Sequence, residues 1–144
     1  MDVRFSTDPS GFRRMTTEEL RKSFLIDRLF IPDEIPMVYS DIDRSITGSA
    51  VPVKGSLKLL GTKKEMAAEY FAERREIGVI NTGAGGSVRI DDKEYAMAFK
   101  DALYIGRGVK EIEFKSDRPD APAMFYFVSY PAHKEFPTRH ARFS

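Results

Sequence analysis

Residues 70–114 contain a series of short stretches in which apolar and polar side chains alternate. Such alternation is typical of β-strands, whose successive side chains point to opposite faces. Turn-forming residues separate the stretches at 82–86, 91–92 and 106–108. The apolar members are Ile77, Val79, Val88, Ile90, Tyr95, Met97, Phe99, Leu103, Ile105, Ile112 and Phe114. Short strands at this spacing predict an all-β fold, either an antiparallel sandwich or a barrel.

The N-terminal residues predict an irregular arm followed by one short helix. Residues 1–15 are polar and include Pro9 and Gly11, so we expect no regular structure there. Thr16 and Glu19 form a capping-box pattern, which predicts a helix from about residue 17 to residue 25 or 26. The buried side of this helix would hold Leu20, Phe24 and Leu25.

The rest of the chain predicts further strands and a polar tail. Those strands are expected at 37–40, 45–53 and 123–130. Residues 133–144 are polar and are expected to trail over the surface. We therefore divide the chain into an arm with a short helix (1–36), a β-barrel (37–131) and a C-terminal tail (132–144).

The composition fits one folded domain and excludes several functions. The chain has 144 residues, of which 42% are hydrophobic, which is enough for a core. A net charge of +1 gives no basis for binding nucleic acid, and no apolar run approaches the length of a membrane span. The absence of cysteine excludes disulfides and thiolate metal sites. The first residues lack the apolar core of a signal peptide, so we expect a cytoplasmic protein.

Motifs spread over nearly the whole chain resemble one enzyme family. They are Met37-Val38-Tyr39-Ser40 with Asp43-Arg44, Tyr70-Phe71 with residues 73–81, residues 101–106 (DALYIG), and Pro131-Ala132-His133. In these motifs the chain resembles the 5-keto-4-deoxyuronate isomerases of pectin breakdown, and the order of its strands and turns resembles a cupin core. The resemblance implies a cupin-like double-stranded β-helix, a barrel or sandwich with a short N-terminal helix.

The resemblance also implies an activity, a cofactor and an assembly. The family interconverts 5-dehydro-4-deoxy-D-glucuronate and 3-deoxy-D-glycero-2,5-hexodiulosonate, which is an aldose–ketose isomerisation. Its members resemble two cupin-like halves in one chain, with zinc held by the second half, and they form hexamers. This chain corresponds to the N-terminal half, and residues 139–144 do not resemble the family's continuation. We therefore expect that the zinc-bearing half is absent and that this chain alone is inactive.

Residues 63–76 (KKEMAAEYFAERRE) are ambiguous between helix and strand. Helix propensity is high throughout this segment. The resemblance instead implies a brief helical turn near 64–68 and a strand from Tyr70. We follow the resemblance, because tertiary context often overrides propensity in short windows.

Cupin metal sites use three histidines and one glutamate, and the resemblance places no such set in this chain. Glu76 falls at the glutamate position, two histidine positions fall within 69–72, and the last falls near residue 110. None of these positions holds a histidine, so we expect no metal here. His133 and His140 lie in a proline-containing tail, where we expect ordinary surface or packing roles.

Residues 73–76 (ERRE) place charges of both signs on each face of the expected strand. The preferred interpretation is a ladder of charge pairs at a sheet edge or subunit contact. The alternative is that an arginine binds the carboxylate of a uronate substrate in bidentate geometry. In that case the candidate substrate-binding residues are Arg75, Arg74, Glu76 and Tyr104, and the catalytic residues are unknown. One arginine should point inward, paired with a carboxylate from a neighbouring strand or with substrate.

Two other features have structural interpretations that we prefer. Residues 83–86 (GAGG) precede a β-like stretch rather than a helix, so they predict a hairpin turn and not a phosphate loop. Tyr104, Tyr126 and Tyr130 would stack on a sugar ring in a binding site, but aromatic residues that alternate along strands usually belong to the core.

A non-catalytic module is the alternative to half of an isomerase. Such a domain would serve in assembly or in sugar binding. An exposed apolar patch would favour assembly, whereas a closed concave pocket with convergent arginines would favour binding of a small sugar acid. In both cases we expect a homo-oligomer, because exposed sheet edges tend to find partners.

Overall fold

The computed structural model describes residues 1–143, which are mostly strands joined by turns. The helices are α1 (Pro9–Phe12), α2 (Thr17–Phe24) and α3 (Lys63–Met66), with a 3₁₀ turn at Ile42–Arg44. The strands are β1 (Asp2–Arg4), β2 (Met37–Ser40), β3 (Ile46–Ala50), β4 (Leu57–Lys58), β5 (Arg75–Asn81), β6 (Gly86–Ile90), β7 (Lys93–Met97), β8 (Ala102–Ile105), β9 (Ile112–Ser116), β10 (Phe125–Pro131) and β11 (Arg139–Ala141).

The strands form two sheets that face each other across one core. The larger sheet has seven strands in the order β1-β2-β3-β10-β5-β8-β11, and the smaller has the order β4-β9-β6-β7. Neighbouring strands are antiparallel except for the parallel pair β1 and β2. This arrangement is the predicted all-β, cupin-like double-stranded β-helix with a short N-terminal helix.

Aromatic side chains fill the space between the two sheets. The ring of Phe114 lies 5.2 Å from that of Phe125 and 6.1 Å from that of Phe127, between ring centroids. Phe71 approaches Phe127 edge-on at 6.1 Å. All four rings are almost completely buried. The apolar faces of both sheets, predicted from alternation, therefore meet in a packed aromatic core.

The ambiguous segment contains a shorter strand than the resemblance implied. The expected helical turn is present as α3, and Ala67 ends it in a left-handed conformation with φ 49°. The predicted strand start at Tyr70 is wrong, since β5 begins at Arg75. Residues 70–74 form a turn in which the amide of Glu73 donates to the carbonyl of Tyr70 at 3.2 Å. This turn still buries Phe71, which the resemblance had placed in the strand.

The glycine-rich turn at 83–86 joins the two sheets, so the predicted hairpin is wrong. It connects β5 in the larger sheet to β6 in the smaller one. The buried side chain of Asn81 holds it by donating to the carbonyls of Ala84 and Met97 and accepting from the amide of Gly83. A Cβ added at Gly83 would lie 2.5 Å from the amide nitrogen of Met124, so the close approach of the backbones requires glycine there.

Both flanks contain more structure than the sequence predicted. The arm is not irregular, since it contains α1 and also β1, which pairs with β2. The tail does not simply trail over the surface, since β11 pairs with β8. Strand pairing therefore reaches beyond both ends of the predicted 37–131 barrel, and the division into arm, barrel and tail stays a prediction.

Helix α2 begins where the capping box predicted, but its apolar side is not buried. The Thr16 amide donates to the Glu19 carboxylate at 2.7 Å, and the Glu19 amide donates back to the Thr16 hydroxyl at 3.3 Å. Phe24 is 48% exposed and Leu25 is 37% exposed. A pattern of apolar residues identifies a helix face but does not supply the surface that covers it.

Candidate functional site

Arg75 is the only arginine among residues 1–143 that the fold buries. It is the first residue of β5 and shares the inner face of that strand with Ile77 and Val79. Its guanidinium donates from Nε to the hydroxyl of Ser129 at 3.0 Å, and from Nη2 to the carbonyls of Ser129 and Arg44. The structure thus places a cation at one end of the core, held by neutral oxygens.

The predicted carboxylate partner of the inward arginine is not found. Arg75 forms no ion pair within the described residues. Two carbonyls and one hydroxyl instead accept hydrogen bonds from two of its three nitrogens, and the other predicted partner, a substrate, stays a prediction. Nη1 has no partner within residues 1–143, and it is not among the fully buried polar atoms that lack one. Nη1 therefore keeps some access to solvent and can donate to a further group.

A second arginine, Arg44, lies close to the buried guanidinium of Arg75. Burial lowers the pKa of its guanidinium, and the positive charge of Arg44 lowers it further, whereas Tyr39 acts in the opposite direction. Arg44 itself is exposed and adopts a left-handed conformation with φ 50°, as does Asp43 with φ 53°. Two such residues in succession represent backbone strain of the kind that collects at functional positions. This end of the barrel can accept an anion, and a carboxylate would suit a guanidinium donor.

Arg74 points to the opposite side, as alternation predicted. Its side chain is 66% exposed, and its Nε lies 3.8 Å from the carboxylate of Glu73. Arg75 by contrast is 8% exposed. The two arginines therefore do not converge on one ligand.

Glu76 and Tyr104 lie together on the outer face of the larger sheet. The Tyr104 hydroxyl donates to the Glu76 carboxylate at 2.8 Å between β8 and β5. Both side chains are half-buried and point away from the core that contains Ile77. The four candidate residues are therefore divided among the core end (Arg75), the outer face (Glu76 and Tyr104) and the solvent (Arg74).

We expect Tyr104 to titrate at unusually high pH. Burial, and then the hydrogen bond to Glu76, raise the pKa of Tyr104 from 10.0 to about 12. The fold favours the neutral phenol, so its contribution to stability is complete below the ordinary pKa and is lost as pH rises toward the raised one. Ultraviolet titration should show a phenolate step near this raised pKa that disappears in Tyr104→Phe.

The control for this titration is Glu76→Gln. It should move the step only part of the way toward the ordinary value, because burial is the larger cause. A Tyr104 step at the unshifted value would show that the phenol is exposed and not bonded to Glu76.

The described residues do not fit a cupin zinc site. Glu76 was aligned with the cupin glutamate, but it points outward to Tyr104 rather than into the barrel. His140 lies 3.3 Å from Asp101 and pairs with Leu103 across β8 and β11. No three histidine, aspartate or glutamate side chains within 1–143 come close enough to hold a metal ion. We therefore assign no chemical step in this chain to zinc.

A polar network on the outer face of the smaller sheet was missed in the sequence. Arg89 donates from Nε to Glu113 at 2.9 Å, and Ser56 donates to the other oxygen of that carboxylate. Hydrogen bonding from Ser56, and then from Arg89, lowers the pKa of Glu113. The alternation of side chains could have predicted this pair. Arg89 and Glu113 each lie between two inward apolar residues, so both point to the outer face.

Comparison with known proteins identifies the family. No protein-family model matches the chain. It is 51% identical over 138 residues to the 4-deoxy-L-threo-5-hexosulose-uronate ketol-isomerase of Caldicellulosiruptor bescii, a match that covers 96% of this chain and 50% of the relative. The chain belongs to this ketol-isomerase family. The ketol-isomerases of Lachnoclostridium phytofermentans and Escherichia coli are 49% and 42% identical, over 96% of this chain and 50% of each.

The chain spans about half the length of the curated ketol-isomerases it matches. Among solved structures it is similar to a cupin protein from Bacteroides fragilis, with a TM-score of 0.45 and 14% identity over 62% of this chain and 68% of that one. It is also similar to a cupin domain from Schizosaccharomyces pombe, with a TM-score of 0.48 and 6% identity over 68% of this chain and 64% of that one. Within residues 1–143 of this ketol-isomerase family member, no helix combines the length and apolar character needed to cross a membrane.

Proposed function

We propose that this chain acts as the cupin-like half of a ketol-isomerase that interconverts 5-dehydro-4-deoxy-D-glucuronate and 3-deoxy-D-glycero-2,5-hexodiulosonate. The observation that carries the proposal is the 51% identity to a ketol-isomerase over 96% of the chain. The reaction moves a proton between adjacent carbons and stabilises an enediolate. The part proposed for this chain is to scaffold the enzyme and to bind the substrate carboxylate.

Arg75 is the residue proposed to bind the carboxylate. Its Nη1 has no partner within residues 1–143, while its other nitrogens are fixed by Ser129 and Arg44. A guanidinium fixed in this way needs little reorganisation to accept an anion. Arg74 is exposed, and Glu76 and Tyr104 lie on the outer face, so these three are proposed only as supporting or structural residues.

A chimeric enzyme tests the family function directly. The matching half of the Caldicellulosiruptor bescii ketol-isomerase would be replaced by this chain. Consumption of the substrate, 5-dehydro-4-deoxy-D-glucuronate, would be followed by NMR. We expect the chimera to be active and this chain alone to be inactive. A folded chimera without activity, beside an active intact relative, would refute the proposal.

Substitutions in the chimera separate the proposed role of Arg75 from a structural one. Arg75→Met should raise KM about ten- to a hundredfold with little change in kcat, since losing a charge-assisted contact costs about 1.5–3 kcal/mol. Arg74→Met is the matched control and should leave KM unchanged. Unchanged KM in Arg75→Met together with a lower melting temperature would mean that Arg75 only stabilises the fold.

Three finer features belong to the proposal, two of them through the family resemblance and the third through the sequence of the first residues. They are zinc in the full-length enzyme, a hexameric assembly and a cytoplasmic location. The zinc would be held outside residues 1–143, because these residues do not fit a zinc site. The alternative, a non-catalytic assembly module, draws support from the separation of the arginines and from the apolar side chains exposed on the larger sheet.

A further inference from the structure

Part of the outer face of the seven-stranded sheet is apolar and uncovered. Its residues, which we call the Gly78 face, are Gly78, Ile80, Ala102, Tyr104, Tyr126 and Val128. They lie on the central strands β5, β8 and β10. Ile80 is 43% exposed, although it lies in the middle of the sheet rather than at an edge.

The neighbouring part of the same outer face is covered by the chain itself. The amide of Phe30 donates to the hydroxyl of Ser49 on β3 at 2.8 Å, so the segment before β2 crosses the sheet there. Val38, on the outer side of β2, is only 8% exposed. The Gly78 face lies next to this part of the sheet, since β10 pairs with β3. The Gly78 face is therefore the continuation of a surface that the fold otherwise shields from water.

Gly78 makes a furrow in this face that the chain itself does not need. Val128 and Tyr104 flank it on the two adjacent strands. A Cβ added at Gly78 would meet no atom closer than Val128 Cγ2 at 3.9 Å, which is ordinary van der Waals contact. Glycine weakens the interior of a strand, and its presence there often marks the close approach of another molecule.

Two unpaired charges of opposite sign lie at the margins of the Gly78 face. Glu76 lies on β5 and Arg139 lies on β11, opposite Tyr104. Within residues 1–143 neither side chain forms an ion pair. A second copy turned face to face can bring its Arg139 to Glu76 and its Glu76 to Arg139, because a two-fold contact uses each pair twice.

We propose that the Gly78 face is where a second copy of this chain docks, sheet against sheet. Ile80 of one copy fills the furrow at Gly78 of the other, and the Glu76 and Arg139 charges pair across the margins. The contact resembles the packing of two sheets, in which side chains of facing strands interdigitate. This surface does not depend on the isomerase proposal, since docking requires neither substrate nor metal.

Filling the furrow tests the proposal, because it should separate association from stability. Gly78→Val places a β-branched side chain on an extended strand with room for it, so its melting temperature should equal or exceed that of the wild type. Its dimer dissociation constant, from sedimentation velocity over a concentration series, should rise about tenfold or more. Ile80→Arg should have the same effect on association through burial of a charge. Leu60→Arg, at a site 67% exposed and away from this face, is the control and should associate like the wild type.

Each alternative result overturns the assignment. A wild type that stays monomeric at the highest concentration shows that no copy docks there. Association that survives in both Gly78→Val and Ile80→Arg places the contact on another surface, such as the arm with its exposed Phe5 and Phe12. Dissociation by Leu60→Arg alone would do the same. The isomerase proposal is read separately, from the activity of the chimera.

Discussion

Replacing Phe127 by alanine is expected to destabilise the protein by about 3–5 kcal/mol, the usual cost of truncating a fully buried phenylalanine. Phe127 is fully buried and contacts Phe71 edge-on and Phe114 face to face. Its ring also lies on Gly48, where an added Cβ would be 2.4 Å from Cζ. Urea unfolding followed by circular dichroism would measure the loss. The resulting cavity would lie between the two sheets, at the centre of the core.

Two further variants make this prediction specific. Phe99→Ala is the control, because Phe99 is 55% exposed and should change the free energy of unfolding by no more than about 0.5 kcal/mol. Gly48→Ala alone should destabilise by collision with the Phe127 ring, and Phe127→Leu should relieve part of that collision in the double variant. Additive costs would mean that the ring does not lie on Gly48.

The two-sheet core could be predicted because its strands carry the pattern on their own. Val88 and Ile90 on β6 and Ile112 and Phe114 on β9 alternate clearly, and the structure pairs Val88 with Phe114 in register. Alternation cannot say which sheet a strand joins. The 83–86 turn looked like a hairpin for this reason, although it carries the chain from one sheet to the other.

The sequence predicted that the two arginines of the candidate site point to opposite sides, but it did not predict their hydrogen-bond partners. Alternation predicted that one of Arg74 and Arg75 points inward but not which one, and the structure buries Arg75 on the side of Ile77 and Val79. Its partners, Ser129 and Arg44, are 54 and 31 residues away in sequence, so no pattern close to Arg75 in the sequence predicts them. A carboxylate from a neighbouring strand is not needed there, because a hydroxyl and backbone carbonyls also accept hydrogen bonds from a guanidinium. The exposed apolar side of α2 shows the same limit, since its pattern was clear and its covering surface was not.

Removal of the Asp101 carboxylate, which holds the C-terminal strand, is the second change expected to cause a large loss of stability. This buried carboxylate accepts from the amide of Phe143 at 2.8 Å and from the amide of Ala98 at 3.0 Å. His140 on β11 lies 3.3 Å from it. Asp101 thereby ties β11 to the turn before β8. Hydrogen bonds to a charged group contribute about 1.5–3 kcal/mol each, so Asp101→Ala should cost about 3–4 kcal/mol and release β11.

Lowering the pH should also remove the contribution of the Asp101 carboxylate to stability. The amide of Phe143, then that of Ala98 and the His140 side chain, hold the pKa of Asp101 below its ordinary value of 3.8, against the opposing effect of burial. A lowered pKa in the fold means that the stability from Asp101 is present above the ordinary value and is lost as pH falls through the lowered one. In Asp101→Asn an amide group replaces one accepting oxygen and faces an N–H donor, so the variant should be less stable at neutral pH.

The difference in unfolding free energy between wild type and Asp101→Asn should therefore be large at pH 7 and should shrink below pH 4. Asp92→Asn, an exposed aspartate in the turn between β6 and β7, is the matched control and should track the wild type. Hydrogen exchange gives the structural measurement, because release of β11 should unprotect the amides it pairs with on β8. Equal stability of wild type and Asp101→Asn at neutral pH, with β11 still protected, would show that the strand is held by its backbone pairing and not by the Asp101 carboxylate.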